Sequence, residues 1–307
     1  SLGFVDYAGR TISEMIGSLT DLAQTWERLL SASGGKLNLS KCFWSIQYYW
    51  EWKRGRPELR NISSHDDPMV MYSGDSGEAA LIRRIENDED TKMLGVWSNF
   101  KGTFSEHTRR LKTKVDGMAI RLEASKLSKL ASRRFYDFYY LPSTRYSLPV
   151  TSMTEGELRS IQTRFKCALL NKLGYPRTFP NGVTFAPKRV LGVGLFDLRI
   201  DQGVYNVKAF LDFVGTDQKA GNVMVISLRH LQLEAGVNYH ILENPATKLP
   251  YVTETCWVNR LREFCGIHDI RMYVQAARRP LASRHHDSFI MERAMEIGLK
   301  PKQLLDV

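Results

Sequence analysis

The chain has 307 residues and carries 43 lysines and arginines against 33 aspartates and glutamates, a formal net charge of +10. A hydrophobic content of 43% excludes wholesale disorder, and no apolar run approaches the roughly 20 residues that a membrane span needs. The positive balance favours a polyanionic partner, either nucleic acid or an acidic membrane surface, over a basic protein that is merely solvated.

The cysteines indicate a reducing compartment. The four cysteines, Cys42, Cys167, Cys256 and Cys265, form no C-x-x-C pair, and Cys265 with His268 lacks the second ligand pair of a zinc module. The sequence shows no signal peptide, that is, no basic region followed by an apolar core and a cleavage site. We therefore expect an intracellular protein, nuclear or cytoplasmic and not secreted.

The first predicted elements are a turn and an amphipathic helix. Phe4-Val5-Asp6-Tyr7 fits the end of a strand and a tight turn. Thr11 and Glu14 form a capping-box pattern, and apolar residues then recur every three or four positions as far as residue 30. This pattern predicts a helix over 11–32, which Gly34-Gly35 ends.

The next stretch changes to the period of a strand. Even-numbered residues from Cys42 to Trp52 are apolar or aromatic and predict one face of an extended strand, followed by a hairpin turn at 54–57. We interpret this aromatic face as core, with base stacking as the alternative. Two further strands are predicted near 69–72 and 81–85.

A basic segment follows. Residues 101–134 contain ten lysines and arginines against three acids, mostly on a predicted helix over 105–134. A second capping box, Thr154 with Glu157, opens a helix that Gly174 and Pro176 close. Residues 177–190 are predicted to be a basic linker, and a mainly helical tail starts near residue 191.

The order of these landmarks resembles the reverse transcriptase family, in particular the RNA-directed DNA polymerases of retrotransposons without long terminal repeats. That family has a Phe/Tyr-x-Asp-Asp turn, a helix, a Leu-Asn-x-x-Lys-Cys-like strand and a hairpin containing Leu-Gly. The matching segments here are 4–7, 11–32, 37–42 and 94–96. Residues 191–198 are similar to a Gly-Leu-Gly-Leu-x-Asp-Leu segment that lies beyond the thumb in those elements.

The resemblance implies roles for particular residues. Asp6 would be a catalytic ligand of Mg²⁺, and Lys41 would lie near the incoming triphosphate, with an edge-strand solubility lysine as the alternative. The hairpin gripping the 3′ end of the primer would consist of Met93, Leu94, Gly95, Val96 and Trp97. The basic helix would be the thumb, with a solvated helix face as the alternative, and its candidate phosphate contacts are Arg109, Arg110, Lys112, Lys114, Lys126, Lys129, Arg133 and Arg134.

Two departures from the family predict that the chain alone does not polymerise. Tyr7 replaces the second aspartate of the turn, and a phenol is a poor Mg²⁺ ligand. The family's upstream aspartate segment has no room before Ser1. We therefore expect Mg²⁺ in the parent family and no productive Mg²⁺ site here.

Together these observations predict an α+β fold. We expect a partial palm over 1–102, a basic helical thumb over 103–180 and a mainly helical extension over 181–307. The predicted function is that of a reverse transcriptase fragment, inactive alone, that binds an RNA template or an RNA–DNA duplex and no membrane. The alternative is a non-catalytic module that binds nucleic acid or protein.

Overall fold

The computed structural model describes residues 12–45, 50–53, 56–59, 68–72, 77–216, 218–237, 239–249, 252, 256–275 and 297. These residues form a mixed fold of helices and short strands, as the sequence predicts. The chain divides into two compact units, one of residues 1–91 with 99–101 and one of residues 92–98 with 102–307. We call them the sheet unit and the helical unit.

The elements run in the following order. The strands are β1 Phe43–Trp44, β2 Trp50–Lys53, β3 Arg56–Leu59, β4 Met69–Tyr72, β5 Ala79–Arg84, β6 Thr91–Met93 and β7 Val96–Ser98. The helices are α1 Ile12–Ala32, α2 Ser105–Ala124, α3 Lys129–Phe135, α4 Leu141–Arg145, α5 Glu155–Leu173, α6 Asn181–Phe185, α7 Leu198–Phe213, α8 Lys219–Ala235 and α9 Trp257–Ile267. A π-helical turn, Tyr136–Tyr140, joins α3 to α4.

The sheet unit is built from α1 and a three-stranded sheet in the order β1-β5-β4. Strand β5 is parallel to β1 and antiparallel to β4. Ile16 and Ala23 of α1 share a hydrophobic cluster with Trp44, Met71 and Ile82 of the strands. Helix α1 and strand β4 were both predicted from the sequence. Helix α1 is marked by apolar residues at every third or fourth position, and β4 is a short apolar run.

The sheet unit differs from the prediction between residues 37 and 59. Residues 39–41 form a 3₁₀ turn rather than a strand, because Lys41 N–H donates to Asn38 O at 3.0 Å while Ser40 donates to the Asn38 side chain at 2.6 Å. Such local bonds compete with a strand ladder. The predicted hairpin is present as β2 and β3, with Lys53 opposite Arg56, so Arg56 belongs to a strand rather than to the turn.

The helical unit has its first core where α2 packs on α5. Val115 and Leu122 of α2 are buried with Ile161 and Phe165 of α5, and the ring of Phe165 stacks on Tyr140 at a centroid distance of 4.0 Å. Both predicted ends of α5 are confirmed. Thr154 and Glu157 form a complete capping box, and Gly174 ends the helix at φ 87°.

Two predictions for the helical unit need correction. The basic segment 105–134 is two helices, because Ser125 turns to an extended conformation and the Ser128 side chain accepts from Ala131 N–H to cap α3. The segment 177–190 is not an open linker. It contains α6, and the following residues Val193 and Leu195 enter the α2–α5 core. A second hydrophobic cluster joins α7, α8 and α9.

Candidate nucleic-acid interface

Helix α2 carries a stripe of cations beside its buried face. The buried positions include Leu111, Val115, Ala119 and Leu122. Each residue of an α-helix turns by about 100°, so positions separated by three and four residues share a side. Arg110, Lys114 and Arg121 are separated in this way and are all exposed. We call these three residues the basic stripe.

The opposite flank of α2 has a balanced charge. Arg109 and Lys112 share it with Asp116 and Glu123, at spacings of three, four and seven residues. At the start of the helix, Glu106 accepts bonds from both Arg109 and Arg110, and these bonds lower the pKa of Glu106 to about 2. The excess positive charge of α2 therefore lies on the side of the basic stripe.

Arg121 is a member of the stripe that the sequence-based list omits. A terminal nitrogen of its guanidinium lies 4.0 Å from the place that a Cβ would take at Gly117, an ordinary van der Waals distance. The position of Arg121 could have been found from the sequence. Arg110, Lys114 and Arg121 are separated by four and seven residues, a spacing that places them on one side of a helix.

The hairpin of β6 and β7 is held against the helices by its tip. Leu94 and Gly95 both have positive φ, 48° and 88°, as a two-residue hairpin turn requires. The hydroxyl of Tyr146 donates to Leu94 O at 2.6 Å, and a Cβ at Gly95 would lie 3.2 Å from the Tyr146 ring. The side chain of Leu94 is left 91% exposed. The Leu-Gly hairpin expected from the resemblance is therefore present.

Trp97 connects this hairpin to the basic stripe. The Arg110 guanidinium lies over the Trp97 ring, 4.0 Å from its centroid. The Trp97 amide donates to Nδ1 of His107 at 3.4 Å, and burial lowers the pKa of His107, which keeps the imidazole neutral. A guanidinium stacked on an aromatic face keeps N–H donors at the ring edge for an anion. The Nε of Arg110 already donates to Glu106 at 2.5 Å, so its terminal nitrogens are the ones that would serve this role.

Three other predicted phosphate contacts lie after α2 and are all exposed. Lys126 lies in the break between α2 and α3, Lys129 begins α3 and Arg134 lies in its last turn. Lys129 reaches the end of α5, where its Nζ is 2.9 Å from a Cβ built at Gly174. A cation at this place also interacts favourably with the helix dipole.

Arg133 has a different role. Its side chain is only 18% exposed, and its guanidinium donates to Val193 O at 3.0 Å and to Gly194 O at 2.9 Å. A further bond joins it to Asp137 at 3.3 Å. These bonds fix the segment after α6 to α3, so we leave Arg133 out of the candidate interface.

The predicted catalytic residues belong to the sheet unit. Lys41 is exposed at the end of the 3₁₀ turn of the sheet unit, while Asp6 and Tyr7 lie outside the described residues, so the turn remains a prediction. Among the residues that the structure describes, no three His, Cys, Asp or Glu side chains could together hold a metal ion. No described helix is long and apolar enough to cross a membrane.

Comparison with known proteins gives no family assignment. A scan against protein-family models finds no match, and neither does a search of curated proteins or of solved structures.

Proposed function

We propose that the helical unit binds the phosphate backbone of a nucleic-acid duplex through the basic stripe and the adjoining β6–β7 hairpin. The observation that carries the proposal is the segregation of charge on α2. Three exposed cations share one side with the single acid Glu106, whereas Asp116 and Glu123 offset Arg109 and Lys112 on the other. Phosphates attract such a surface without regard to sequence, and the counterions that they release drive binding.

The dimensions of the stripe suit a duplex. Arg110 and Arg121 are eleven residues apart, which at 1.5 Å per residue is about 16 Å along the helix axis. That length is roughly the rise of five base pairs, so the stripe can contact several successive phosphates. Beside it, Trp97 and the exposed Leu94 offer apolar contacts to sugars or to a terminal base.

We further propose that the chain is related to the reverse transcriptases whose parent activity is RNA-templated DNA synthesis. Support comes from the order of the sequence landmarks, from helix α1 after the sequence Phe4-Val5-Asp6-Tyr7 and from the Leu94-Gly95 hairpin. By this resemblance Asp6 would ligate Mg²⁺, which would assist attack of the primer hydroxyl on the incoming triphosphate. Tyr7 argues against unaided polymerisation on chemical grounds, since hard cations select carboxylate oxygens.

The first experiment is a titration of a fluorescently labelled RNA–DNA duplex, followed by anisotropy at several salt concentrations. We expect the affinity to fall steeply between 50 and 200 mM salt in line with counterion release, and to change little when the duplex sequence is scrambled. An affinity that does not change with salt would overturn the proposed interface.

A primer-extension assay tests the second proposal separately. We expect no extended product from the purified chain with Mg²⁺ or Mn²⁺. Extension that disappears on Asp6→Ala would instead show that this turn is catalytically competent with Tyr7 in place.

A further inference from the structure

A second apolar tip lies in the loop after α6. Leu191 is 93% exposed although its φ is +63°, a left-handed conformation that bulky side chains rarely adopt. Val190 beside it is 62% exposed. Leu94 combines the same features, because it too has positive φ, is almost fully exposed and precedes a glycine. The fold thus holds two leucines in water in a conformation that costs free energy.

The loop around Leu191 is rigidly built. Gly192 N–H donates to Pro187 O at 3.2 Å, and Gly194 N–H donates to Ala186 O at 3.0 Å. Any Cβ at Gly192 would lie 2.0 Å from Ala186 O, so the backbone crosses itself at a distance that only glycine permits. The exposed tip is therefore a preorganised structure whose unusual backbone is fixed by its surroundings.

The segment that carries this tip has a single sign of charge along the chain, and Asp137, which approaches the end of the loop, is paired with Arg133. Residues 158–196 contain no aspartate or glutamate and seven lysines and arginines. Lys188 and Arg189 directly precede the tip and are exposed. The next acid along the chain, Asp197, is buried and bonded to Arg199 at 2.6 Å, so its charge is neutralised locally. An apolar tip flanked by cations is complementary to nucleic acid, in which anionic phosphates surround the apolar faces of stacked bases.

We propose that Val190 and Leu191 form a wedge that enters a nucleic-acid groove and separates stacked bases, while Lys188 and Arg189 contact the adjoining phosphates. Proteins that bend duplexes insert apolar side chains between base steps in this way, and cations beside the wedge hold the backbone. The inference rests on the proposed function, since the same helical unit carries the basic stripe. Nucleic acid is preferred to an acidic membrane because a tip of two aliphatic residues buries little area in lipid.

The test uses a set of RNA–DNA duplexes with 2-aminopurine at successive positions, because this base brightens when it is unstacked. At saturating concentrations of the full chain, we expect a several-fold rise in fluorescence at one or two adjacent positions. Leu191→Asn should abolish the rise while changing the affinity by less than about tenfold. Asparagine tolerates positive φ, so the loop conformation survives this substitution. Leu191→Met is the matched control and should keep the rise.

Each other outcome is decisive. Saturable binding by the unchanged chain with no rise at any position overturns the wedge and leaves the proposed duplex interface standing. Failure of the unchanged chain to bind any duplex removes both proposals. The last measurement is binding of the chain to vesicles of phosphatidylcholine with phosphatidylserine. Binding to them that Leu191→Asn abolishes, without any 2-aminopurine response, would assign the tip to a membrane surface and overturn the wedge.

Discussion

Neutralising two cations of the basic stripe should lower the salt dependence of duplex binding by a calculable amount. The double substitution Lys114→Gln with Arg121→Gln removes two exposed charges on the proposed contact side. Each phosphate contact contributes about 0.9 to the slope of log affinity against log salt concentration for B-form DNA. The loss of two contacts should therefore reduce the slope by about 1.8, so that a fourfold rise in salt weakens the variant roughly 12-fold less than the unchanged chain.

The matched control is Arg109→Gln with Lys112→Gln, which removes the same net charge from the opposite flank of α2. Lysine, arginine and glutamine have nearly equal helix propensities, so both variants should keep the melting temperature of the unchanged chain. Anisotropy titrations of one DNA duplex at four salt concentrations measure the slopes. Equal slope changes in the two variants would refute the assignment of the contact side, since only total charge would then matter.

Two further predictions concern the network that fixes the segment after α6. The Tyr136 hydroxyl accepts from Phe196 N–H at 2.7 Å, so Tyr136→Phe should lower the free energy of unfolding by about 1 kcal/mol; an unchanged urea midpoint would contradict this. Burial alone would raise the pKa of Asp197, but bonds from Arg199 and Gln162 outweigh burial and leave this pKa below its usual value. Because the folded state then binds fewer protons, the stability from this carboxylate is present at neutral pH and lost as pH falls through the lowered pKa. Urea unfolding from pH 7 to pH 3 should therefore show a steeper loss for the unchanged chain than for Asp197→Asn, and parallel curves would refute this role.

Elements with local signals could be predicted from the sequence. The start and the end of helix α5 depend on local interactions. Thr154 and Glu157 form the capping box at its first turn, and Gly174 ends the helix in a left-handed conformation. Helix α1 shows one apolar face at helical spacing, and strand β4 is a short apolar run. The break between α2 and α3 was missed because the basic pattern continues through it, while Ser125 and Ser128 end one helix and cap the next by short-range bonds.

Features that depend on distant partners could not be predicted in the same way. The sequence suggests that Arg133 is one more exposed cation, yet its two carbonyl acceptors, Val193 O and Gly194 O, lie sixty residues further along the chain. The sequence of segment 177–190 suggests a linker because its prolines and glycines give no helix period, although Thr184 is fully buried and Phe179 and Phe185 pack against the α2–α5 core. In the candidate interface, the hairpin and most of the cations could be predicted from the sequence. The side of α2 on which each cation lies could be assigned only once the buried face of the helix was known.

The bonds from α3 to the loop after α6 also determine how this protein can be shortened. A chain cut at residue 180, where composition suggested a boundary, would strip Arg133 of both carbonyl acceptors and Tyr136 of its amide donor. The cut would also remove Leu198, which is fully buried in the α2–α5 core. A fragment that keeps this core intact has to extend beyond Leu198 into α7, where Tyr205 also packs against the core. Insertions and fusion partners would be tolerated far better near the exposed end of α5 than anywhere between residues 186 and 198.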